Sequence, residues 1–401
     1  MEMDAKGATD TASLSNASEG STEAVRTSTL VAAGPAYPSP QPVEKQRYLP
    51  LDAYRGLIMI LLVSDGFGFS ELTNDPIFHG IANQFHHRPW GGAVFYDLIM
   101  PAFLFMVGLA MPFSLGRRME QGADKRQLLS HVAKRSISLV IISWILISIE
   151  YGHPHIQFHN VLIVVAFTYF VCFFLMQLKF KYQAIVALTL LAGHSALYLL
   201  LPGPDGAFQQ MTNIGAVIDR ASMGRTYFMP AFLYHSAPYV NLNLIPEIAS
   251  VLFGVWIGNL IRSNRPRAEQ LKIMALGMIA AFASGLLFSP LVPINKWLWT
   301  ATYALYTTGW CILGLLVLYL VIDVLGIRRP MFLLTVVGMN SLFVYCVGEI
   351  LRGWISNSVD VFTGGFKSIG TLAPVAQSCA VLLVIWFVAY WLYKRKIFLR
   401  V

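Results

Sequence analysis

The sequence predicts an all-α membrane protein, a helix bundle with about ten transmembrane helices and both termini in the cytoplasm. Of its 401 residues, 56% are hydrophobic and only 12% are charged, roughly half the charged fraction of a soluble chain. Apolar runs of about 20 residues, long enough to cross a bilayer, recur along the chain. Lysine and arginine collect in alternate connections, the pattern that orients a multi-span protein.

The amino-terminal segment differs in composition from the rest. Residues 1–46 are rich in Ser, Thr, Ala, Gly and Pro and contain no apolar core. They lack the basic start and apolar centre of a signal peptide. We therefore predict a disordered cytoplasmic tail at 1–46 and a transmembrane domain at 47–401. The cysteines all lie in apolar runs, which favours buried thiols over disulfides: Cys172, Cys311, Cys346 and Cys379.

The apolar runs define the expected spans. They fall near 49–70, 93–116, 131–149, 157–177, 181–201, 243–262, 271–289, 297–323, 331–352 and 372–394. Two connections are long, 71–92 and 202–242, and long connections are often functional. The second contains aromatic residues that include Tyr234 and Tyr239. We expect this connection to help hold a substrate, although an interfacial lid explains the same residues.

Basic residues determine the expected orientation. One set of connections carries most of them, whereas the other set carries only Arg88, Arg220, Arg225, Lys296, Arg352 and Lys367. Cytoplasmic loops hold the excess of basic residues, so both termini are expected inside and both long connections outside. The net charge of +8 is then anchoring charge, which excludes nucleic acid as the expected partner.

Three histidines lie in the first long connection, at His79, His86 and His87. Histidine is the side chain that most readily exchanges protons near neutral pH. Asp97 follows at the start of the second span, and Asp65 lies late in the first. A carboxylate beside an imidazole orients the ring and stabilises its protonated form. We predict catalytic chemistry here, with solvated or structural histidines as the alternative.

Polar side chains also recur at the outer ends of later spans, where they are costly and usually functional. They predict a polar chamber that is reached from outside. An asparagine there is suited to donate to a developing oxyanion, whereas tryptophans at span ends are also typical of an interfacial belt. The residues predicted to line this chamber are Trp90, His159, Asn160, Glu247, Asn295, Lys296, Trp299, Asn340, Tyr345 and Glu349.

Two local features of the first spans lead to structural expectations. Asp52 and Arg55 are three residues apart, so they share a helix face and can form an ion pair. Pro101 lies within the second apolar run, where a proline is expected to kink a helix.

Four ordered segments carry motifs: Leu51–Gly56 (LDAYRG), His87–Gly108 (HxxWxGxxxxDxxxPxFxFxxG), Pro293–Trp299 (PINKxLW) and Gly338–Tyr345 (GMNSxxVY). Together they resemble the heparan-α-glucosaminide N-acetyltransferase family of transmembrane enzymes. The resemblance implies that acetyl-CoA binds from the cytoplasmic side and that its acetyl group reaches a sugar acceptor on the other side. It also implies that His87 is the active histidine, because the family's histidine stands three residues before the motif tryptophan.

The resemblance implies two forms of mechanism. His87 accepts the acceptor's proton as a general base, or it is itself acetylated and passes the group on. Asp97 or Asp65 would orient the ring. The CoA phosphates need cations, although basic residues also serve as topology anchors. The candidates for this cytoplasmic role are Arg55, Arg117, Arg118, Arg126 and Arg135.

The sequence departs from the family pattern at two places. Asp65 stands about where the family has an asparagine that contacts acetyl-CoA, and Gly348 stands where a histidine precedes the ninth-span glutamate. The expected partners are acetyl-CoA, a sugar or glycan acceptor and membrane lipids, and the resemblance allows a homodimer. No metal-ligand spacing occurs in the sequence, so no metal is expected. The expected location is the cell (inner) membrane.

Two other functions share these features. A secondary transporter would also have about ten spans and intramembrane carboxylates, but transporters often show internal repeats, and the histidine connection has no counterpart in the second half of the chain. An O-acetyltransferase of cell-envelope polysaccharide would need the same site with a hydroxyl acceptor.

Overall fold

The computed structural model describes residues 48–223 and 239–399, and these are helical with no β-strand. The predicted disordered tail lies outside the described residues, as does Tyr234 of the second long connection. The α-helices in chain order are α1 (Leu49–Val63), α2 (His79–Phe85), α3 (Ile99–Glu120), α4 (Lys125–Tyr151), α5 (Val161–Leu175), α6 (Phe180–Leu200), α7 (Ile214–Met223), α8 (Leu244–Arg262), α9 (Arg267–Leu287), α10 (Ala301–Tyr319), α11 (Met331–Met339), α12 (Ser341–Thr363) and α13 (Ala373–Lys394).

Short irregular helices connect several of these elements. Four are 3₁₀ segments and one is a π-helical turn that extends α10. They are Gly66–Leu72, Phe95–Leu98, Asn241–Asn243, Leu320–Val324 (the π turn) and Gly364–Leu372.

The helices identify a multi-pass membrane protein. Among the described residues, eight stretches are long and apolar enough to cross a membrane. One of them, Ser341–Lys394, contains both α12 and α13, and the apolar α5 is shorter, with 15 residues. Each predicted span contains a helix, so the all-α membrane class is confirmed. The count of ten spans and the cytoplasmic position of the termini stay predictions.

The ninth predicted span is broken. Its apolar run contains α11 and α12, which meet at Asn340. The Asn340 side chain donates to the Ile397 carbonyl oxygen at 3.1 Å and accepts from the Leu399 backbone N–H at 3.1 Å. The segment after α13 thus occupies the break, which explains why a continuous apolar run does not form one helix.

Glycines allow two helix pairs to approach closely. A Cβ added at Gly56 on α1 would overlap the Leu334 carbonyl of α11, and one added at Gly254 on α8 would overlap the Phe105 carbonyl of α3. Membrane helices associate through such small residues because lipid supplies no hydrophobic driving force between them. The α3–α8 pair positions two of the predicted site residues, because α3 begins beside Asp97 and α8 carries Glu247.

Gly254→Leu is expected to destabilise the bundle, because overpacking a close contact costs about 1–3 kcal/mol or more. Thermal unfolding in detergent, followed by size-exclusion fluorescence, would measure the loss. Gly193→Leu on α6 is the matched control, since a Cβ there meets nothing within 4 Å. Equal unfolding midpoints for Gly254→Leu and the native protein would refute this account of the packing.

The expected kink at Pro101 is wrong. Helix α3 begins at Ile99, so Pro101 lies in its first turn, and the proline in the helix interior is Pro112. The first backbone N–H groups of a helix have no intrahelical partner, so a proline at this position removes no hydrogen bond. By contrast, the expected ion pair of Asp52 with Arg55 is present at 3.7 Å.

Candidate active site

His87 lies against a buried aspartate. Its Nδ1 is 2.7 Å from Asp97 Oδ1. The Asp97 side chain is 1% exposed, whereas that of His87 is 41% exposed. One edge of the imidazole is therefore fixed by a carboxylate while much of the ring stays accessible to a ligand. The expected contact between these two residues is present.

Asp97 is held by the entry to α3. Its Oδ2 accepts a hydrogen bond from the Val94 backbone N–H at 3.0 Å. The Tyr303 hydroxyl on α10 donates to the Asp97 carbonyl oxygen at 2.7 Å. Because these bonds fix the backbone and one carboxylate oxygen, the other oxygen is available to His87.

Lys296 joins this pair. Its Nζ lies 3.0 Å from Asp97 Oδ1, 3.0 Å from His87 Nδ1 and 3.4 Å from His87 Nε2. Its side chain is 7% exposed, and this burial lowers the pKa of Lys296, while Asp97 opposes the shift. A proton on the imidazole is attracted by Asp97 and repelled by Lys296. We call His87, Asp97 and Lys296 the His87 cluster.

Two connections build the His87 cluster by bonding to each other. The Gly92 backbone N–H donates to the Ile294 carbonyl oxygen at 2.7 Å. The Trp297 indole N–H donates to the Arg88 carbonyl oxygen at 3.0 Å. The connection before α3 is thereby tied to the connection before α10, which brings Lys296 to His87 across 209 positions of sequence.

Aromatic rings line one side of the His87 cluster. The Tyr96 and Trp297 ring centroids lie 4.9 Å and 6.3 Å from that of His87. Tyr239 packs against Trp297 at 4.8 Å, and His159 stacks on Tyr239 at 5.5 Å. These rings form a wall that leads from His87 to the start of α5, with flat faces suited to a sugar ring.

Comparison with known proteins places this site in a family. Residues 47–289 match the family model of heparan-alpha-glucosaminide N-acetyltransferase, catalytic. The chain belongs to this family. It is 26% identical to the human heparan-alpha-glucosaminide N-acetyltransferase over 415 residues and 25% identical to the mouse protein over 410 residues. Each alignment covers 88% of this chain and 60% of the relative, so the chain spans about 60% of the length of these curated relatives.

The resemblance inferred from the four motifs is thereby confirmed. The part of the chain that matches the heparan-alpha-glucosaminide N-acetyltransferase family model contains His87, Asp97 and Glu247. It ends at residue 289, so Lys296 lies beyond it. The structure nevertheless brings Lys296 into contact with the other two members of the His87 cluster.

In this member of the heparan-alpha-glucosaminide N-acetyltransferase family, Asp65 lies beside the site without contacting His87 directly. Its carboxylate forms an ion pair with Arg352 of α12 at 3.2 Å and accepts from the Tyr96 hydroxyl at 3.4 Å. Asp65 therefore contacts His87 only indirectly, through the Tyr96 side chain. Of the two predicted aspartates, Asp97 is the one that contacts His87 directly.

Several predicted chamber residues have structural contacts instead. Trp299 is fully buried, and its indole N–H donates to Ser250 Oγ at 3.2 Å. The Trp90 indole N–H donates to the Phe208 carbonyl oxygen at 3.0 Å. Asn295 is buried and its Oδ1 accepts from the Trp297 backbone N–H at 2.8 Å. These residues shape the two connections rather than line an open chamber.

Asn340 is not a component of the His87 cluster. Its amide holds the segment after α13, as described for the fold. Its suggested role as an oxyanion donor stays a prediction, and backbone groups of that segment use the amide oxygen and one of the two amide N–H groups.

A second polar group forms between α4, α5 and α12. Asn160 caps the start of α5 by accepting from the Leu162 backbone N–H at 3.0 Å, and it also accepts from the Ser143 hydroxyl at 2.7 Å. Tyr345 lies close to the Asn160 side chain. Glu349 lies within electrostatic range of Tyr345 and of Glu150. The aromatic wall connects this group to the His87 cluster, since His159 precedes Asn160.

Predicted cations gather at the other end of α3. Arg55 of α1 and Arg135 of α4 are close enough to interact, and His131 lies near Arg118 and Arg135. Arg118 lies about 30 Å along α3 from Asp97, at 1.5 Å per residue. Arg117 and Arg126 are exposed. The structure thus brings together only some of the predicted cations, Arg55, Arg118 and Arg135, with His131 added.

Four residues near the His87 cluster or the distant cations were not predicted from the sequence: Tyr303, Asn243, Arg352 and His131. Asn243 stands four residues before Glu247, and that helical spacing could have identified it. The other three had no such signal, because their contacts depend on tertiary packing. The described residues contain no group of three His, Cys, Asp or Glu side chains arranged to hold a metal.

Proposed function

We propose that this protein is a membrane acetyltransferase that moves an acetyl group from cytoplasmic acetyl-CoA to an amino sugar on the other side of the membrane. The observation that carries the proposal is the His87 cluster, an accessible imidazole held by a buried carboxylate and a buried ammonium, in a member of this family. The inner cell membrane is the proposed location.

The mechanism begins with attack of the acceptor amine on the thioester carbonyl. In the neutral ring with a proton on Nδ1, that N–H donates to Asp97 and Nε2 is free to take a proton from the amine. Asp97 then stabilises the imidazolium. The Lys296 ammonium lies 3.4 Å from Nε2, where it can stabilise negative charge that develops on the carbonyl oxygen.

The same geometry serves an acetyl-enzyme route. His87 Nε2 would attack the thioester, and the acetyl-imidazole would pass its group to the amine. Incubation with acetyl-labelled acetyl-CoA in the absence of acceptor distinguishes the routes, because only the acetyl-enzyme route leaves label on the protein in amounts that depend on His87.

The distant cations suit the other end of acetyl-CoA. Arg135 lies within electrostatic range of Arg55 and of His131, and His131 within range of Arg118, and arginine matches phosphate geometry well. Phosphates held there would lie on the opposite side of the bundle from His87. The thioester would reach His87 through the bundle, which requires donor and acceptor to enter from different sides.

Oriented vesicles test this proposal. Acetyl-CoA supplied only on the side of the basic loops, with amino sugar on the other side, is expected to produce N-acetylated sugar, identified by mass spectrometry. Acetyl-CoA supplied only on the His87 side is expected to give none. Equal product from either side would reject transfer through the membrane, and an O-acetylated product would reject the amine acceptor.

A further inference from the structure

Two buried hydrogen-bond acceptors lie together on α8 and its entry turn. Glu247 and Asn243 are each 3% exposed. Glu247 Oε2 and Asn243 Oδ1 have no hydrogen-bond partner among the described residues. The Asn243 amide nitrogen Nδ2 donates to the Trp297 carbonyl oxygen at 2.9 Å. This bond identifies the nitrogen, so the unpaired atom of the amide is the oxygen. Residues four apart are neighbours on a helix face, so both free oxygens belong to one region.

That face of α8 lies against the connection that carries Lys296. Asn243 bonds to Trp297, and Ser250, three residues after Glu247, accepts from the Trp299 indole N–H at 3.2 Å. Glu247 lies between these two contacts. It is buried and therefore faces the connection that carries Trp297 and Trp299 rather than the lipid.

Tyr239 gives independent evidence for this position. Burial raises the pKa of the Tyr239 phenol, and the negative charges of Asp97 and Glu247 raise it further. Glu247 is also within electrostatic range of Tyr303, whose hydroxyl contacts Asp97. Glu247 therefore lies within electrostatic range of Tyr239 in the aromatic wall and of Tyr303.

The unpaired oxygens indicate what the region binds. A buried carboxylate without a partner is strongly destabilising. Lys296 forms its ion pair with Asp97 and contacts His87, and no ion pair joins it to Glu247 among the described residues. Two free acceptors require a ligand with several donors, and a cationic ligand also stabilises the ionised form of the Glu247 carboxyl group. An ammonium group has three donors and a positive charge, and the faces of Tyr239 and Trp297 favour a cation as well.

We propose that Glu247 and Asn243 form the subsite that receives the acceptor's amino group as an ammonium ion. This inference rests on the proposed function and assigns the residues that select an amine. The ammonium gives one proton to the Glu247 carboxylate, which leaves a neutral amine and a carboxylic acid. The amine then forms a bond to the thioester carbon as its second proton moves to His87 and the carbon–sulfur bond breaks. His87 returns that proton to the CoA thiolate, and Glu247 releases the first proton to solvent after the product leaves, which restores the carboxylate.

Glu247→Gln tests the subsite because it keeps the shape of the side chain and removes its charge. Binding of glucosamine to the full chain, measured by isothermal titration calorimetry without acetyl-CoA, is expected to weaken about 10- to 100-fold, the usual effect of losing a hydrogen bond to a charged group. Binding of acetyl-CoA is expected to stay unchanged. Glucose, which has a hydroxyl in place of the amine, is expected to bind weakly and equally to both proteins.

Glu71→Gln is the matched control, since Glu71 is an exposed carboxylate in the connection after α1. Asn243→Ala removes the second acceptor and is also expected to weaken glucosamine binding, so that loss of folding in one variant does not leave the proposal without a test. Equal glucosamine affinity in native, Glu247→Gln and Asn243→Ala proteins would overturn the subsite. That result would not contradict acetyl transfer by His87. Tight amine binding without any acetyl transfer would instead overturn the proposed function and leave the subsite standing.

Discussion

His87→Ala is expected to lower kcat for acetyl transfer by roughly 10²- to 10⁴-fold or more, the usual effect of removing a general base or nucleophile. The reason is that His87 alone among the histidines of its connection contacts both a buried carboxylate and a buried ammonium. Steady-state rates with purified protein in nanodiscs would measure the effect. Binding of acetyl-CoA is expected to persist, because its proposed phosphate site lies about 30 Å away along α3.

The neighbouring histidines supply the controls. The His79 ring contacts the Thr73 carbonyl oxygen and the Asn83 amide, and His86 is exposed. His79→Ala and His86→Ala are therefore expected to retain most of the activity. A correctly folded His87→Ala protein with native kcat would remove the catalytic assignment and favour the transporter interpretation.

Lys296→Met is expected to lower kcat by about 10²- to 10³-fold, the range found when one donor to a developing oxyanion is removed. The native enzyme should also lose activity as pH rises, because the ammonium is the active form. Since burial lowers the pKa of Lys296, this loss is expected at a lower pH than for an exposed lysine. Lys296→Arg keeps its charge at all accessible pH values and should move the alkaline limit upward.

Rate measurements across the pH range would check both variants. Lys367→Met is the control, since Lys367 is an exposed lysine in the connection between α12 and α13. An alkaline limb that is the same in native, Lys296→Met and Lys296→Arg proteins would show that Lys296 does not control the rate.

The parts of the structure that could be predicted are those with a local cause. Each span follows from an apolar run of bilayer length. The pairing of His87 with Asp97 is also local, because only ten positions separate them. The break at Asn340 could not be predicted in this way, since it depends on backbone groups of Ile397 and Leu399.

The same limit explains why the individual contacts at the site could not be predicted. Counting along the first span placed Asp65 near the histidines, where it lies beside Tyr96, but α1 ends at Val63, and Asp65 has a left-handed backbone with φ of 50°. Its carboxylate consequently meets Arg352, from a helix far along the chain. Trp299 and Asn295 stand in an apparently functional motif, yet burial makes them supports for Lys296.

The bonds between the two connections of the site change what insertions can do. Surface loops normally accept extra residues, because lengthening a loop costs little closure entropy and few contacts depend on it. Here the Gly92–Ile294 and Trp297–Arg88 bonds fix the relative register of both connections. One added residue on either side would move Lys296 or His87 out of contact. These two connections should therefore tolerate changes in length as poorly as a buried core does. Natural insertions and epitope tags should be tolerated in other loops.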